Sequence, residues 1–577
     1  MNILELSDQE IGRRQSLQQL REMGIDPYPA AEFPTNAFST DIVENFKEGE
    51  KREVTIAGRM MSRRIMGKAS FVELQDSKGR VQVYVTRDDI CPGEDKDLYN
   101  KVFKKLLDIG DFIGVSGFVF KTQMGEVSVH AQRLVLLAKS LKPLPIVKYK
   151  DGVAYDKFDD PELRARQRYV DLVVNDGVKK TFLKRATVLR TMRAFFDRHG
   201  YTEVETPTLQ SIPGGASARP FITHFNALNI DMYMRIATEL YLKRLIVGGF
   251  EGVYEIGKNF RNEGMDKFHN PEFTCMELYV PYKDYNWMMT FTEKLLETIC
   301  VAVNGKDEVE YQGKTISYKA PFRRLPILDA IKEKTGYDLN GLSEEEIRDI
   351  AINKLKIDTV DETSGKGKLI DEIFGETCEG TFIQPTFITD YPVEMSPLTK
   401  MHRSKPGLTE RFELMVNGKE LANAYSELND PIDQEQRFID QMKLAAKGDD
   451  EAMIIDHDFL RALQYGMPPT SGIGIGIDRL VMLMTGKENI QEVMLFPQLK
   501  PEAKMPQTSV KDWQEKIGVP EDWVYVLRKA GYNLISDIKD VKAQALQQKM
   551  LEINKKYKLG YDKPELDTIQ KWIDAAK

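Results

Sequence analysis

The sequence lacks the features that would mark it as secreted, zinc-binding or membrane-spanning. Its four cysteines are scattered, with no pair at metal-ligand spacing and no even framework in a small domain, so we expect reduced thiols and no zinc. No window approaches the roughly 18 to 20 apolar residues that cross a bilayer, and the first residues lack a signal-peptide pattern. We therefore expect a cytoplasmic protein that does not enter a membrane.

Length and charge bound the remaining possibilities. A chain of 577 residues is too long for one core and indicates three or four domains. The net charge of -8 argues against wholesale coating of nucleic acid, although the stretch 59–68 could form a local basic patch.

Changes of pattern along the chain predict a multidomain α+β protein. We expect a helical lead-in at 1–50, a β-barrel of the OB type at 51–140, a linker at 141–172, a large α+β domain at 173–498 with a helical insertion at about 300–375, and a small helical bundle of unknown role at 499–577.

One hairpin of the predicted barrel has a polar and aromatic outer face. Alternation directs one set of residues to the core: Val72, Leu74, Val81, Val83 and Val85. Phe71, Glu73, Gln82 and Tyr84 then face outward, which suits base stacking with edge recognition. The alternative is that these are surface aromatics packed beneath a loop.

The stretch 260–279, FRNEGMDKFHNPEFTCMELY, predicts a second hairpin that gathers opposite charges. On a strand Arg261 and Glu263 would share a face, a loop would run from Gly264 to Pro271, and the returning strand would align further side chains. Those side chains are Phe273, Cys275, Glu277 and Tyr279.

Three alternating glycines precede an arginine in SGIGIGIDRL, residues 471–480. Bare backbone on one strand face would admit a flat ligand, with Arg479 at the start of a helix. Neither the dinucleotide fingerprint nor the Walker loop fits the spacing. Close strand packing is the alternative explanation for the glycines.

The stretch 411–430 predicts a third hairpin. Glu413 and Glu420 flank a turn at Asn417-Gly418 and could together offer hard oxygen ligands to Mg²⁺ bound chiefly to phosphates. Taken alone, this stretch is better explained as an ordinary charged hairpin. Three residues of its second strand share a face: Asn423, Tyr425 and Glu427.

Taken together, these stretches resemble a known enzyme family. EVETPTL at 203–209, FRNE followed by HNPEFT, and GIGIGIDR are similar to motifs 1, 2 and 3 of the class II aminoacyl-tRNA synthetases, in order. With IPGGASARPFITHFN and SELNDP, the resemblance over about 55–498 is closest to the bacterial-type lysyl-tRNA synthetases. It implies an antiparallel catalytic sheet flanked by helices and an anticodon-binding barrel.

The resemblance also implies roles for individual residues. Arg261 and Arg479 would be catalytic and, with Glu263, His269 and Phe273, would bind ATP. Lysine would be bound by Gly215, Glu239, Glu277, Tyr279, Asn423, Tyr425 and Glu427; Mg²⁺, up to three ions per subunit, by Glu413 and Glu420; and the anticodon by Phe71, Glu73, Gln82 and Glu126. Pro207 would lie at a homodimer interface.

The implied reaction joins L-lysine to tRNA(Lys) using ATP, with Mg²⁺ as cofactor. A desolvated substrate ammonium needs carboxylates nearby, whereas an aspartate substrate would need a cation. The acidic set therefore opposes an aspartate or asparagine enzyme, and the barrel opposes a ligase that modifies proteins. The intact motif residues oppose a non-catalytic nucleic-acid binder, and KMHRS at 400–404 is interpreted as a basic loop without class I chemistry.

Overall fold

The computed structural model describes residues 2–150, 153–155, 157–360, 364–445, 454–502 and 506–577. The chain divides into two compact units. The barrel unit comprises Met1–Lys157 with Pro501–Lys577, and the sheet unit comprises Phe158–Lys500. Within the described residues, no helix has both the length and the apolar character needed to cross a membrane.

Five strands close into the predicted barrel, in the order β1-β2-β3-β5-β4. The core-facing valines and leucine of its second and third strands are at most 3% exposed, while Phe71 and Tyr84 on the opposite face are half-buried, as alternation predicts. The elements are α1 (Asp8–Glu22), α2 (Ser39–Glu44), β1 (Glu53–Met66), β2 (Ala69–Gln75), β3 (Arg80–Thr86), α3 (Arg87–Ile90), a π-type helix (Leu98–Leu106), β4 (Phe112–Lys121), β5 (Val127–Ala138), β6 (Lys148–Lys150) and β7 (Val153–Tyr155).

The predicted basic patch at 59–68 is largely structural. Arg59 donates to the carbonyl of Gly110 at 2.9 Å, and Arg63 donates to the carbonyl of Leu107 at 2.9 Å. Both arginines therefore tie β1 to neighbouring backbone. Arg64 differs, because its guanidinium lies 5.2 Å from the ring centroid of Phe71 on the outer face.

The sheet unit is built on an eight-stranded sheet in the order β16-β17-β18-β19-β20-β13-β12-β8. Its central pairs are antiparallel, and the two edge pairs are parallel. Helices α6, α8 and α14 contribute to the large core beside the sheet, which confirms the predicted sheet-and-helix domain.

The elements of the sheet unit follow in chain order. They are α4 (Pro161–Arg166), α5 (Arg168–Val174), α6 (Val178–Arg198), β8 (Thr202–Glu203), β9 (Leu209–Gln210), β10 (Ile222–Phe225), β11 (Ile230–Met234), α7 (Glu239–Val247), β12 (Val253–Phe260), β13 (Glu272–Pro281), α8 (Tyr285–Asn304), β14 (Glu308–Tyr311), β15 (Lys314–Ser317), β16 (Arg323–Pro326), α9 (Ile327–Thr335), α10 (Glu344–Asp349), a π-type turn (Ile350–Lys354), α11 (Lys366–Thr377), β17 (Thr386–Thr389), β18 (Arg411–Val416), β19 (Lys419–Ser426), α12 (Pro431–Ala445), α13 (His457–Gln464), β20 (Thr470–Gly476) and α14 (Ile477–Thr485).

Two predicted boundaries shift. The second half of the supposed linker at 141–172 belongs to the sheet unit, because Arg168 is 2% exposed and donates to the carbonyl of Gln491 at 2.7 Å. The supposed helical insertion at about 300–375 begins with the β14–β15 hairpin and with β16, which joins the main sheet. The described residues that follow form α9 to α11 and the π-type turn at Ile350–Lys354.

The tail forms the predicted helical bundle, with α15 (Val510–Ile517), α16 (Glu521–Lys529), α17 (Ala543–Tyr557) and α18 (Leu566–Ala575). Its core includes the fully buried Trp513 and also Leu4 from the other end of the chain. Lys556 pairs with Asp8 at 2.7 Å. Residues 1–50 are therefore more than a lead-in, since their first residues complete the core of the tail.

Candidate active site

A cavity of about 470 Å³ lies over strands β13, β19 and β20 of the sheet unit. All but one of the residues that were predicted to bind ATP, lysine or Mg²⁺ line it. The exception is Glu427, which is 1% exposed and lies behind Gly472. Those that line it are Gly215, Glu239, Arg261, Glu263, His269, Phe273, Glu277, Tyr279, Glu413, Glu420, Asn423, Tyr425 and Arg479.

The β12–β13 hairpin gives the cavity one wall, but its first strand is shorter than predicted. Strand β12 ends at Phe260, so Arg261 and Glu263 lie in the loop and do not share a strand face. Their backbone turns tightly, with the Glu263 N–H donating to the Arg261 carbonyl at 2.9 Å. The returning strand behaves as predicted and presents Phe273, Glu277 and other same-parity residues to the cavity.

Cationic groups gather at one end of the cavity. The Arg261 guanidinium lies 5.2 Å from the ring centroid of Phe273, and its buried Nε has no hydrogen-bond partner among the described residues. Arg479 donates to the Glu420 carbonyl at 2.7 Å and approaches His269 Nε2 at 2.9 Å. Asp266 holds the other ring nitrogen of His269 at 2.8 Å. This end of the cavity is suited to an anion.

The glycines of β20 serve two different purposes. A Cβ at Gly472 would lie 2.2 Å from Glu427 Oε1 and 2.4 Å from the Tyr279 ring, so close packing explains this glycine. A Cβ at Gly474 or Gly476 would meet nothing nearer than 3.8 Å, so these two leave bare backbone facing the cavity. Close packing therefore accounts for Gly472, and admission of a flat ligand stays a prediction for the bare backbone at Gly474 and Gly476.

Glu413 and Glu420 lie on paired strands beside a two-residue turn, as predicted. Asn417 and Gly418 have φ of 50° and 73°, and Met415 pairs with Glu420. Burial raises the pKa of Glu413 to about 7, and the charge of Glu420 adds to the rise against the opposing Arg411. Arg411 donates to Glu413 at 2.5 Å.

This carboxylate pair fits a cation that is bound partly by phosphates. The Glu413 side chain is 16% and the Glu420 side chain 41% exposed, and a cation bound by both carboxylates would relieve their repulsion. Among the described residues, no group of three or more histidine, cysteine or acidic side chains could hold a metal by itself. Mg²⁺ commonly takes one or two carboxylates plus substrate phosphates, so the donor set suits Mg²⁺.

The opposite end of the cavity is acidic. Glu277 accepts from the Thr238 N–H and the Tyr279 hydroxyl, each at 3.1 Å, and Glu239 accepts from the Tyr425 hydroxyl at 2.6 Å. Burial, with the nearby Glu239, raises the pKa of Glu277. Burial also raises the pKa of both tyrosines, which keeps their hydroxyls protonated as donors.

Behind this end lies Lys243, a residue that the sequence did not single out. It is fully buried on α7 and pairs with both Glu239 and Glu427. Burial opposes its charge, but the two carboxylates outweigh burial and raise the pKa of Lys243. The sequence signal that could have identified Lys243 is its position four residues after Glu239, which places both side chains on one face of a helix.

Arg411 was also missed, although it lines the cavity. It donates to Asn423 Oδ1 at 3.1 Å as well as to Glu413, and so joins the two hairpin strands. Asp478 was missed because it is buried beneath the cavity, where it accepts from Arg185 at 2.6 Å and from the Thr274 N–H at 2.7 Å.

Other predicted positions fall around the cavity. Gly215 has φ of 87°, which favours glycine, and it lies against Ala237 and Glu239. Pro207 is exposed, next to Thr206, which Glu255 holds at 2.7 Å.

Two charged features beside the cavity residues form ion pairs within the sheet unit. Glu272 pairs across the hairpin with Lys258 at 3.5 Å. In the KMHRS loop, Arg403 pairs with Asp284 at 2.9 Å and also with Glu410, so the loop is anchored.

The barrel unit carries the positions predicted to read the anticodon. Phe71 pairs across the strands with Tyr84 at a ring distance of 5.0 Å, and Glu73 pairs with Gln82. Glu126 is exposed in the turn between β4 and β5, two residues before Ser128, the partner of Gln82. These side chains lie at neighbouring positions on the barrel surface.

Comparisons with known proteins agree with this architecture. Residues 160–500 match the family described as tRNA synthetases class II (D, K and N), and residues 54–137 match the OB-fold nucleic acid binding domain. The chain belongs to the class II aminoacyl-tRNA synthetases. Within that class, it is 64% identical over 581 residues to the lysine–tRNA ligase of Porphyromonas gingivalis strain W83, with all of both chains covered.

Two further relatives carry the same name. The lysine–tRNA ligase of Azobacteroides pseudotrichonymphae is 63% identical over 498 residues, which cover 86% of this chain and 99% of the relative. That of Christiangramia forsetii is 63% identical over 509 residues, which cover 88% of this chain and 89% of the relative.

Proposed function

We propose that this protein attaches L-lysine to the 3′ end of tRNA(Lys) in an ATP-dependent reaction that passes through a lysyl-adenylate. The observation that carries the proposal is a single cavity with a cationic end at Arg261 and Arg479 and an acidic end at Glu239 and Glu277. The full-length similarity to lysine–tRNA ligases supports the same substrate.

The first step uses no protein nucleophile. The carboxylate of lysine attacks the α-phosphorus of ATP in line, and pyrophosphate leaves. Arg261, which lines the cavity, stabilises the charge at the α-phosphate. In the second step the 3′-hydroxyl of the terminal adenosine of tRNA attacks the adenylate, forming the lysyl ester and releasing AMP.

ATP would occupy the cationic end. The adenine ring would lie between Phe273 and Arg479, with its amino group at Glu263 and the distal phosphates at His269 and Arg479. The 5.2 Å approach of Arg261 to Phe273 and the open glycine face of β20 support this placement. Glu413 and Glu420 would hold Mg²⁺, up to three ions per subunit, which neutralises phosphate charge when bound.

Lysine would occupy the acidic end. Glu277 would face its side-chain ammonium, with the charge of Glu427 close behind Gly472, and Glu239 would face its α-ammonium near Gly215. Buried carboxylates attract a cationic side chain and repel an acidic one, which supports lysine over aspartate among the substrates of this family. Tyr279, Asn423 and Tyr425 would complete the pocket.

The barrel would bind the anticodon of tRNA(Lys) through Phe71, Glu73, Gln82 and Glu126. An aromatic ring beside hydrogen-bonding groups supports a single-stranded RNA partner. Cytoplasmic residence remains part of the proposal, and the free thiols at all four cysteines are compatible with it.

A homodimer is proposed on the basis of an exposed apolar surface beside Pro207. Strands β9 to β11 carry side chains that are 42% to 64% exposed, a pattern typical of an interface between subunits. They are Leu209, Ile222, Phe225, Leu228 and Ile230. A second copy of the chain would cover them.

The decisive experiment is amino-acid-dependent exchange between ATP and pyrophosphate across all twenty amino acids. Lysine is expected to stimulate exchange far more than any other amino acid. Exchange stimulated by aspartate or asparagine in place of lysine would overturn the substrate assignment.

A further inference from the structure

A lysine of the protein itself lies buried behind the lysine-binding end of the cavity. Lys243 is 0% exposed and donates to Glu239 Oε1 at 2.5 Å while pairing with Glu427. Its ammonium lies 5.5 Å from the ring centroid of Tyr425, whose hydroxyl donates to the other oxygen of Glu239 at 2.6 Å. One buried ammonium therefore connects two of the three carboxylates at this end.

Packing alone does not explain this arrangement. Buried ion pairs can often be replaced by apolar side chains with little loss of stability, so their presence needs another reason. The core around α7 is otherwise apolar and includes Leu242, Ile246 and Phe459, into which an uncharged side chain would fit.

The charges at this end can be counted. In their ionised forms Glu239, Glu277 and Glu427 contribute three negative charges and Lys243 one positive charge, which leaves a formal charge of -2. Free lysine carries two ammonium groups, and its carboxylate would be directed to the cationic end. The formal charge of -2 at this end is therefore equal and opposite to the combined charge of the two ammonium groups of lysine.

We propose that Lys243 is a positioning residue that sets the charge of the amino acid pocket. It orients Glu239 and Glu427 and leaves two uncompensated negative charges for the two ammonium groups of the substrate. This inference rests on the proposed function, because it presumes that lysine is the amino acid bound.

The test compares Lys243→Met with the double variant Lys243→Met/Glu427→Gln. The single variant leaves two buried carboxylates without their cation, so its KM for lysine should rise at least about 100-fold while its KM for ATP stays within about twofold. The double variant restores the formal charge of -2, so its KM for lysine should be at least about tenfold lower than that of the single variant.

Lys184→Met is the matched control. Lys184 is a partly buried lysine of the same unit that donates to Asn304 at 2.7 Å and lies outside the cavity. Its removal should leave the KM for lysine unchanged. Exchange kinetics and thermal melting are measured for every variant, together with the wild-type protein.

Three results would overturn the inference without touching the proposed function. One is a wild-type KM for lysine in Lys243→Met; another is a double variant no better than the single one. If Lys243→Met fails to fold, Glu427→Gln alone is compared with the double variant, and equal KM values for lysine would contradict the charge argument. Failure of lysine to stimulate exchange by the wild-type protein would instead overturn the proposed function.

Discussion

Replacing Gly472 by alanine would place a methyl group in the wall between the cavity and Glu427. The new Cβ would lie 2.2 Å from Glu427 Oε1 and 2.4 Å from the nearest atom of the Tyr279 ring. Ordinary contact begins near 3.4 Å, so the ring must move by 3.4 − 2.4, or 1.0 Å. Both neighbours are buried, so overpacking should cost about 1–3 kcal/mol of stability.

The same displacement should weaken lysine binding more than ATP binding. Tyr279 donates to Glu277, so moving the ring disturbs the carboxylate at the acidic end. A shift of about 1 Å can cost on the order of 100-fold in activity, and we expect a rise of that order in the KM for lysine with little change in the KM for ATP.

Gly476→Ala is the matched comparison, because its methyl group would lie beside Arg479 at the cationic end. Its methyl group would meet nothing nearer than 3.8 Å, so thermal stability and the KM for lysine should hold, whereas the KM for ATP should rise because the methyl group enters the open face. Exchange kinetics and thermal melting distinguish the two variants. Equal effects of both substitutions on the two KM values would refute the division of roles among the glycines.

Four further predictions follow from the site and the units. Glu277→Gln should raise the KM for lysine at least about 100-fold and spare ATP binding, measured by exchange, because a buried charge loses its partner. Phe71→Ala should weaken tRNA charging and leave exchange intact; equal loss of both would contradict an anticodon role. Without nucleotide or Mg²⁺, Glu413→Gln should stabilise the protein by up to about 3 kcal/mol at pH 8 and little at pH 4, as measured by calorimetry across pH. The reason is that Glu413 has a pKa of about 7 in the folded protein, so its ionisation destabilises the fold increasingly as the pH rises from 4.5 through 7. Deleting 506–577 should preserve exchange but lower the melting temperature of the barrel unit, because Leu4 loses its packing; an unchanged melting temperature would contradict that packing.

The parts of the fold that were predictable depend on local pattern. Alternation in the β2–β3 hairpin identified both its faces, and the two-residue Asn417-Gly418 turn identified the pairing of Met415 with Glu420. A bulge between Leu414 and Met415, which the turn does not predict, then shifts Glu413 by one residue, so that it pairs with Asn423. The roles of Arg261 and His269 came from resemblance, since a loop has no periodicity that would orient its side chains.

The parts that were missed depend on contacts between distant segments. In the sequence Lys243 is an ordinary charged residue of a helix, because its second partner, Glu427, lies far along the chain, directly after β19. Leu4 joined the tail because the two ends of the chain share one core. The end of β12 at Phe260 was also missed, although Asn262 and Gly264, which are rare in strands, were an available signal for it.

The most direct test of lysine attachment is to incubate purified tRNA(Lys) with the purified protein, ATP, Mg²⁺ and labelled amino acids, and to measure which amino acid becomes attached to the tRNA. Lysine should become esterified at the 3′ end of tRNA(Lys), and aspartate and asparagine should not. Absence of lysyl-tRNA under conditions that support exchange, or charging with either competitor, would contradict it.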